Sequence, residues 1–372
     1  MKSKASILRS SPGEYESAVV ELDTPHQHEV LVRLVASGLC HSDDHVAKGD
    51  LIPPLLPFCG GHEGAGVVEE VGSAVVGLAP GDHVVFSFIP SCGRCRYCAR
   101  GQQNLCNNGL HAFTGERLEE PGSFRMTLDG APVAQLASAS TFSEYTLVDQ
   151  RSLVKVPEEY DLTKICLLGC AVGTGWGAAV NSAAVRPGDT VIVMGVGGIG
   201  INAVQGAANA GALHVIAVDP VEFKREKALE LGATKAFGNM AEAADFARSV
   251  TDGQGADSSI VTVGVTTGEH IAEAFAAIGK GGTTVVTGIG PMTAVGIPVS
   301  AVDLTLNQKR LQGSLYGACA PSADVHQQLA LYRSGKLKLD ELITTTYKID
   351  EISKAYEDLH AGKNIRGVVL FD

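Results

Sequence analysis

Positive charge is in short supply. The 372 residues carry 29 Lys and Arg against 41 Asp and Glu, a net charge of −12, which argues against a general nucleic-acid footprint. Aromatic residues make up only 5%. No apolar stretch reaches membrane-spanning length, because Gly, Asn, His or Asp interrupts each one. Nor does Met1-Lys2-Ser3-Lys4-Ala5 lead into the apolar block of a signal peptide. What is abundant is glycine, 44 residues, which suits many turns and close backbone approaches. The chain is too long for one comfortable core and suits two domains. Its nine cysteines are an odd number without a leader, so a disulfide framework is not expected and a reducing cytoplasm is.

From about Ser17 to Val85, short period-two runs such as Glu29-Val30-Leu31-Val32-Arg33-Leu34-Val35 are broken by Gly, Pro and Asp. They predict a barrel-like β region. Residues 109–140 carry turn residues with little periodicity and read as a long loop; strand signals resume at 143–148. After Cys170 the texture changes. Strands at 190–194, 214–219, 259–263 and 283–287 alternate with helices near 199–210, 222–231 and 269–278, the pattern of a parallel, doubly wound sheet. From about Gly317 the mixed pattern returns, so the C-terminal part should fold back onto the first domain.

Gly195-Val196-Gly197-Gly198-Ile199-Gly200 matches G-x-G-x-x-G, directly after a strand and opening a helix, with Asp219 nineteen residues past Gly200. That context is what a dinucleotide site requires: a tight turn at Gly195, close pyrophosphate approach at Gly197, and helix–strand packing at Gly200. A carboxylate at position 219 would accept from a ribose diol and repel a 2′-phosphate, favouring NAD over NADP. Lys224 and Arg225 bring nearby positive charge to the same cofactor site.

Two cysteine sets differ in character. Cys92, Cys95, Cys98 and Cys106 lie within fifteen residues, spacing that lets local loops wrap a closed structural zinc. Cys40, His62 and Cys170 are dispersed. Together they would neutralise a zinc ion and leave a fourth position for water or substrate, although on spacing alone Cys170 reads more readily as a small core residue.

These residues carry a resemblance. The G-H-E-x-x-G block at Gly61-His62-Glu63, the four-Cys lobe and the glycine fingerprint together resemble the zinc-dependent medium-chain alcohol dehydrogenases along the whole chain. The resemblance implies a GroES-like β-barrel catalytic domain at 1–171 and 317–372, with a structural zinc lobe at about 90–110, and a Rossmann domain at 172–316. It also implies two zinc ions, the catalytic one on Cys40, His62 and Cys170 with Glu63 close by. It further implies a proton relay from Ser42 through the nicotinamide ribose to His45, taken to reach solvent; Asp43 is expected to brace His62. Thr174, His41 and Arg366 match cofactor-contacting positions, and Phe88 a substrate-lining one. Segments near 304–317 should pair across a two-fold to give a homodimer or homotetramer. Residues 40–72 further resemble the actinobacterial nicotinoproteins, which retain NAD(H) and are recycled by an external redox acceptor such as a nitroso dye.

The chemistry then follows. An alcohol must lose its hydroxyl proton before it gives up hydride readily, and zinc lowers the pKa of bound water from about 16 to about 7. A shift of roughly 9 units corresponds to about 12 kcal/mol, more than a hydrogen bond from a serine supplies. A primary alcohol or aldehyde with an apolar or aromatic body is the expected substrate. A thiol-adduct formaldehyde dehydrogenase is the alternative; the positions that would anchor a glutathione adduct are Leu51 and Leu110, which cannot hold an anion. A non-catalytic zinc- and nucleotide-binding protein on the same scaffold would be expected to lack a ligand or the relay, and here all are present.

Overall fold

The computed structural model describes residues 1–372 apart from the side chain of Ala112. The chain divides into two compact units: Met1–Cys170 with Ala320–Tyr332 and Leu339–Asp372, and Ala171–Cys319 with Arg333–Lys338.

In the first unit, strands Lys2–Leu8, Tyr15–Leu22, Met126–Leu128, Ala131–Gln135 and Phe58–Cys59 close into a barrel. A mostly antiparallel sheet runs in the order Leu153–Val156, His83–Phe86, Gly64–Val71, Glu29–Gly38, Arg366–Leu370, Ile343–Tyr347, with Tyr145–Asp149 paired to Glu29–Gly38. The C-terminal strand Arg366–Leu370 thus lies antiparallel to Glu29–Gly38, joining the two ends of the chain in one sheet. The apolar core beneath includes Leu34, Leu39, Phe58, Phe86, Phe142 and Tyr356.

The 109–140 segment corrects the loop reading. Met126–Leu128 pairs antiparallel with Ala131–Gln135 and thereby helps close the barrel. Asp129 and Gly130 both adopt positive φ (52° and 81°), the requirement of a two-residue hairpin turn, and Asp-Gly is its strongest short signal. Two strands this short carry too little periodicity to stand out beside their turn-rich flanks.

The second unit is a six-stranded parallel sheet ordered Lys235–Phe237, His214–Val218, Thr190–Met194, Ala256–Val261, Ile278–Val286, Arg310–Gly313. Thr190–Met194 is buried at every position, as expected of a central strand in a sheet covered on both faces. Residues 317–319 and Arg333–Lys338 belong to this unit rather than to the first. Their contacts explain why: the Asn181 side-chain amide donates to the Gly317 carbonyl (3.0 Å), the Cys319 thiol meets the Gly173 carbonyl, and Gln205 exchanges two hydrogen bonds with the Lys338 backbone. Within 304–317, Ala301–Leu306 is helical and only Arg310–Gly313 is strand, at the sheet edge. No single helix among the described residues is long and apolar enough to cross a membrane.

Candidate active site

The first unit brings three dispersed ligands to one point. Cys40 is the extended residue (φ −128°, ψ 148°) immediately before the helix His41–Lys48. His62 follows Gly60-Gly61, where Gly61 sits at φ +86° and a Cβ would lie 2.3 Å from the Phe142 backbone nitrogen, so only glycine fits. Cys170 ends the short helical turn Cys166–Gly169. The donor atoms of Cys40, His62 and Cys170 all lie within 4.8 Å of one another, with His62 Nε2 and Cys170 Sγ 3.3 Å apart. All three residues are buried.

The charges around them suit a soft cation. The Cys40 thiol is held well below its ordinary range, chiefly by its hydrogen bond with Cys170, which pushes Cys170 up correspondingly. A bound divalent ion would take both as thiolates. Asp43 Oδ2 lies 3.1 Å from His62 Nδ1 in ion-pair contact, and Asp43 Oδ1 accepts the Gly61 N–H at 2.6 Å. That brace directs Nε2 at the two sulfurs, the usual outer-shell arrangement of a metal-ligating histidine. Two sulfurs, a braced imidazole and burial fit zinc.

The neighbours are partly as expected. Glu63 is fully buried and outside the three-residue cluster; its Oε2 accepts from Arg366 Nη2 at 2.6 Å. Burial pushes the Glu63 carboxyl up to about 7 against the pull of Arg366. Arg366, 4% exposed, is therefore a buried counter-ion to Glu63. Phe88 meets the His62 ring edge-on at 5.7 Å. Ser42 Oγ is 3.6 Å from Cys40 Sγ, and His41 is half-buried with its ring 6.5 Å from that of His45.

His45 departs from expectation: it is buried, not at the surface. Its Nδ1 lies 2.8 Å from Asp50 Oδ2, and the Asp50 side chain is 24% exposed. Gly49 explains the contact. At φ 82° it ends the helix in the left-handed conformation and turns the chain back so that Asp50 faces the last helical turn. A glycine four positions after a histidine, followed at once by an aspartate, is too weak a pattern to find from sequence. Leu51 lies in the core, while Leu110 is exposed.

Four more cysteines converge separately. The sulfurs of Cys92, Cys95, Cys98 and Cys106 lie within 4.8 Å of one another. Backbone N–H groups of Cys92, Cys95 and Cys98 point at sulfurs of Cys106, Cys92 and Cys95, at 3.3, 3.3 and 3.5 Å. Such N–H···S contacts stabilise thiolates, so the lobe is built for a closed tetrahedral ion.

In the second unit the glycine loop matches its physical requirements. Gly195 adopts φ +85°, a Cβ on Gly200 would lie 1.8 Å from the Gly195 carbonyl oxygen, and a Cβ on Gly197 would meet open space. Gly198 precedes the helix Gly200–Asn209, and its carbonyl accepts from the Asn202 amide at 2.8 Å. Asp219 is buried, its two oxygens accepting the N–H groups of Val196 (3.0 Å) and Val221 (2.9 Å). The aspartate therefore also pins the glycine loop to the end of the second strand, a duty the motif did not reveal. Arg225 bonds the Asp219 and Pro220 carbonyls; Lys224 is half-buried in the helix Glu222–Glu230, and Thr174 is buried in Ala171–Gly177.

Comparison with known proteins agrees with this construction. The alcohol dehydrogenase GroES-like domain family matches residues 26–158, and the zinc-binding dehydrogenase family matches residues 198–334. The chain belongs to the zinc-dependent medium-chain alcohol dehydrogenases. It is 49% identical over 370 residues to the NDMA-dependent alcohol dehydrogenase of Amycolatopsis methanolica, covering all of this chain and 99% of that one. Among solved structures, benzyl alcohol dehydrogenase of Acinetobacter calcoaceticus is 29% identical with a TM-score of 0.91, each chain covered fully. An alcohol dehydrogenase zinc-binding domain protein of Burkholderia ambifaria is 33% identical with a TM-score of 0.92, covering 100% of this chain and 99% of that one.

Proposed function

We propose that this alcohol dehydrogenase interconverts a primary alcohol of apolar or aromatic body and its aldehyde, with zinc on Cys40, His62 and Cys170 and NAD on the Gly195–Gly200 loop. The convergence of those three donor atoms carries the reading. Zinc supplies Lewis-acid activation of the alcohol hydroxyl, and NAD accepts the hydride. The residues of the chain route the proton. Ser42 and His45 are three apart on one helix and so share a face. Asp50 accepts from His45 Nδ1, leaving Nε2 as the atom that takes the proton arriving from Ser42. Because His45 is buried, Asp50 is the partly exposed group through which that proton leaves. The edge-on Phe88 beside His62 supports an apolar substrate wall, and the four-cysteine lobe holds a second, structural zinc. Asp219 favours NAD over NADP.

The end-to-end 49% identity to an NDMA-dependent enzyme favours permanently held NAD(H), reoxidised in place by an external acceptor. Nine free cysteines suit a reducing cytoplasm. A homodimer or homotetramer is supported by the edge strand Arg310–Gly313 and exposed Val295, Val302 and Leu306 in the chain leading to it. Metal analysis should return two zinc ions per chain, falling to one in a folded Cys40→Ala protein that no longer turns over benzyl alcohol. A wild type with only the lobe zinc rejects the catalytic assignment. Nicotinamide absorbance on the isolated protein, with little turnover on added NAD alone, is expected of the retained-cofactor mode; free exchange rules it out.

A further inference from the structure

Two buried tyrosines stand behind the metal-ligand cluster and have no place in the chemistry so far. Tyr356, on the C-terminal helix Ile352–His360, places its hydroxyl 3.3 Å from the carbonyl oxygen of Cys40. Tyr15, on the second strand, donates its hydroxyl to the carbonyl of Asp43 at 3.1 Å. Their rings stack with centroids 5.8 Å apart and planes at 26°. Tyr15 also stands edge-on to Phe142 at 5.9 Å and packs so closely on Gly60 that a Cβ there would lie 2.7 Å from its ring. Ser353, on the same helix as Tyr356, donates to the Tyr15 carbonyl at 2.7 Å.

The layer therefore touches both segments that supply ligands. On one side it holds the backbone of Cys40 and of Asp43, whose carboxylate braces His62. On the other it packs on Gly60, two residues before His62. Both hydroxyls are turned onto backbone carbonyls of the ligand-bearing segment. We propose that Tyr15 and Tyr356 are positioning residues for the metal site, through which the C-terminal helix sets the separation of Cys40 and His62. The inference rests on the assignment of a metal to Cys40, His62 and Cys170.

The test uses the full-length zinc protein and its Tyr356→Phe, Tyr15→Phe and double variants, which keep the rings and lose only the hydroxyls. Loss of zinc to a chelator is followed at both sites, with the four-cysteine lobe as internal reference, and cobalt-substituted protein is examined by visible absorption. Each single variant should release the metal of the cluster about fivefold faster, about 1 kcal/mol at 1.36 kcal/mol per decade. The lobe rate should be unchanged and the cobalt–thiolate bands shifted. Release rates and cobalt bands identical to wild type overturn the proposal. So does equal loosening of both sites, which marks a general loss of stability. Wild-type protein without metal at the cluster would instead remove the underlying assignment.

Discussion

Asp43→Asn separates a carboxylate that orients His62 from one that merely fills space. Asp43 is fully buried and has two duties: Oδ1 takes the Gly61 N–H at 2.6 Å, and Oδ2 stands 3.1 Å from His62 Nδ1. An ionised carboxylate only accepts, so the imidazole proton sits on Nδ1 and the Nε2 lone pair is free for the cation. Asparagine can keep one duty but not both. If its oxygen stays on Gly61, its NH2 faces Nδ1, the proton moves to Nε2, and the ligand is lost. If the amide flips, two donors meet at Gly61, leaving buried groups unsatisfied at about 1–3 kcal/mol. Loss of such a partner typically lowers metal affinity 10–100-fold, or about 1.4–2.8 kcal/mol.

The assay is equilibrium competition with a zinc chelator, reading the cluster against the four-cysteine lobe, beside turnover of benzyl alcohol. The expected result is metal bound about 30-fold more weakly at the cluster, an unmoved lobe, and turnover restored in part by excess zinc. Asp43→Ala should behave differently, because it leaves a void and two unpaired donors: its thermal midpoint should fall as well. An asparagine variant that holds zinc as tightly as wild type and turns over normally refutes the tautomer argument.

Gly200→Ala puts a methyl 1.8 Å from the Gly195 carbonyl and 2.6 Å from Thr262 Oγ1. The helix must move, so stability should fall by about 3 kcal/mol and NAD binding with it; a thermal midpoint and cofactor affinity like wild type contradict the packing role. Asp219→Ser should weaken NAD about tenfold or more while gaining little NADP affinity, since the lost carboxylate also releases the N–H groups of Val196 and Val221; titration with both cofactors reads this, and a clean switch to NADP argues against the pinning duty. Cys95→Ser should empty the lobe and lower the thermal midpoint while the cluster keeps its metal, since a structural zinc contributes directly to folding; metal analysis showing one ion still in the lobe counts against closure by four thiolates.

The second unit was the easier to read because its determinants are local. Val191–Met194 runs apolar without a break, and the glycines that follow answer to contacts within a few residues: Gly200 meets Gly195, and Gly195 turns at φ +85°. Strand, turn and helix lie next to one another in the chain, so their pattern survives in one dimension. The four-cysteine lobe was legible for the same reason. The hairpin at Asp129-Gly130 was local too, yet its strands Met126–Leu128 and Ala131–Gln135 are too short to show a period.

The three-residue cluster is the opposite case. Cys40, His62 and Cys170 meet only because the barrel and sheet are assembled, and nothing in their spacing states that meeting; resemblance rather than periodicity pointed to it. What the structure adds are the partners that make the ligands serviceable, each remote or inconspicuous in sequence: Arg366 under Glu63 from the last strand, Asp50 under His45 by way of the Gly49 reversal, and the hydroxyls of Tyr15 and Tyr356. The burial of His45 has the largest consequence. A surface histidine could hand its proton to bulk water directly, whereas one nearly closed off would need an exit group; under the proposed relay, Asp50, partly exposed and 2.8 Å away, would be that group. Asp50→Asn, which removes the carboxylate but not the bulk, should therefore slow turnover and make it respond to added small buffers that can enter as proton acceptors; an enzyme indifferent to both the substitution and the buffer would mean that the proton leaves by another way.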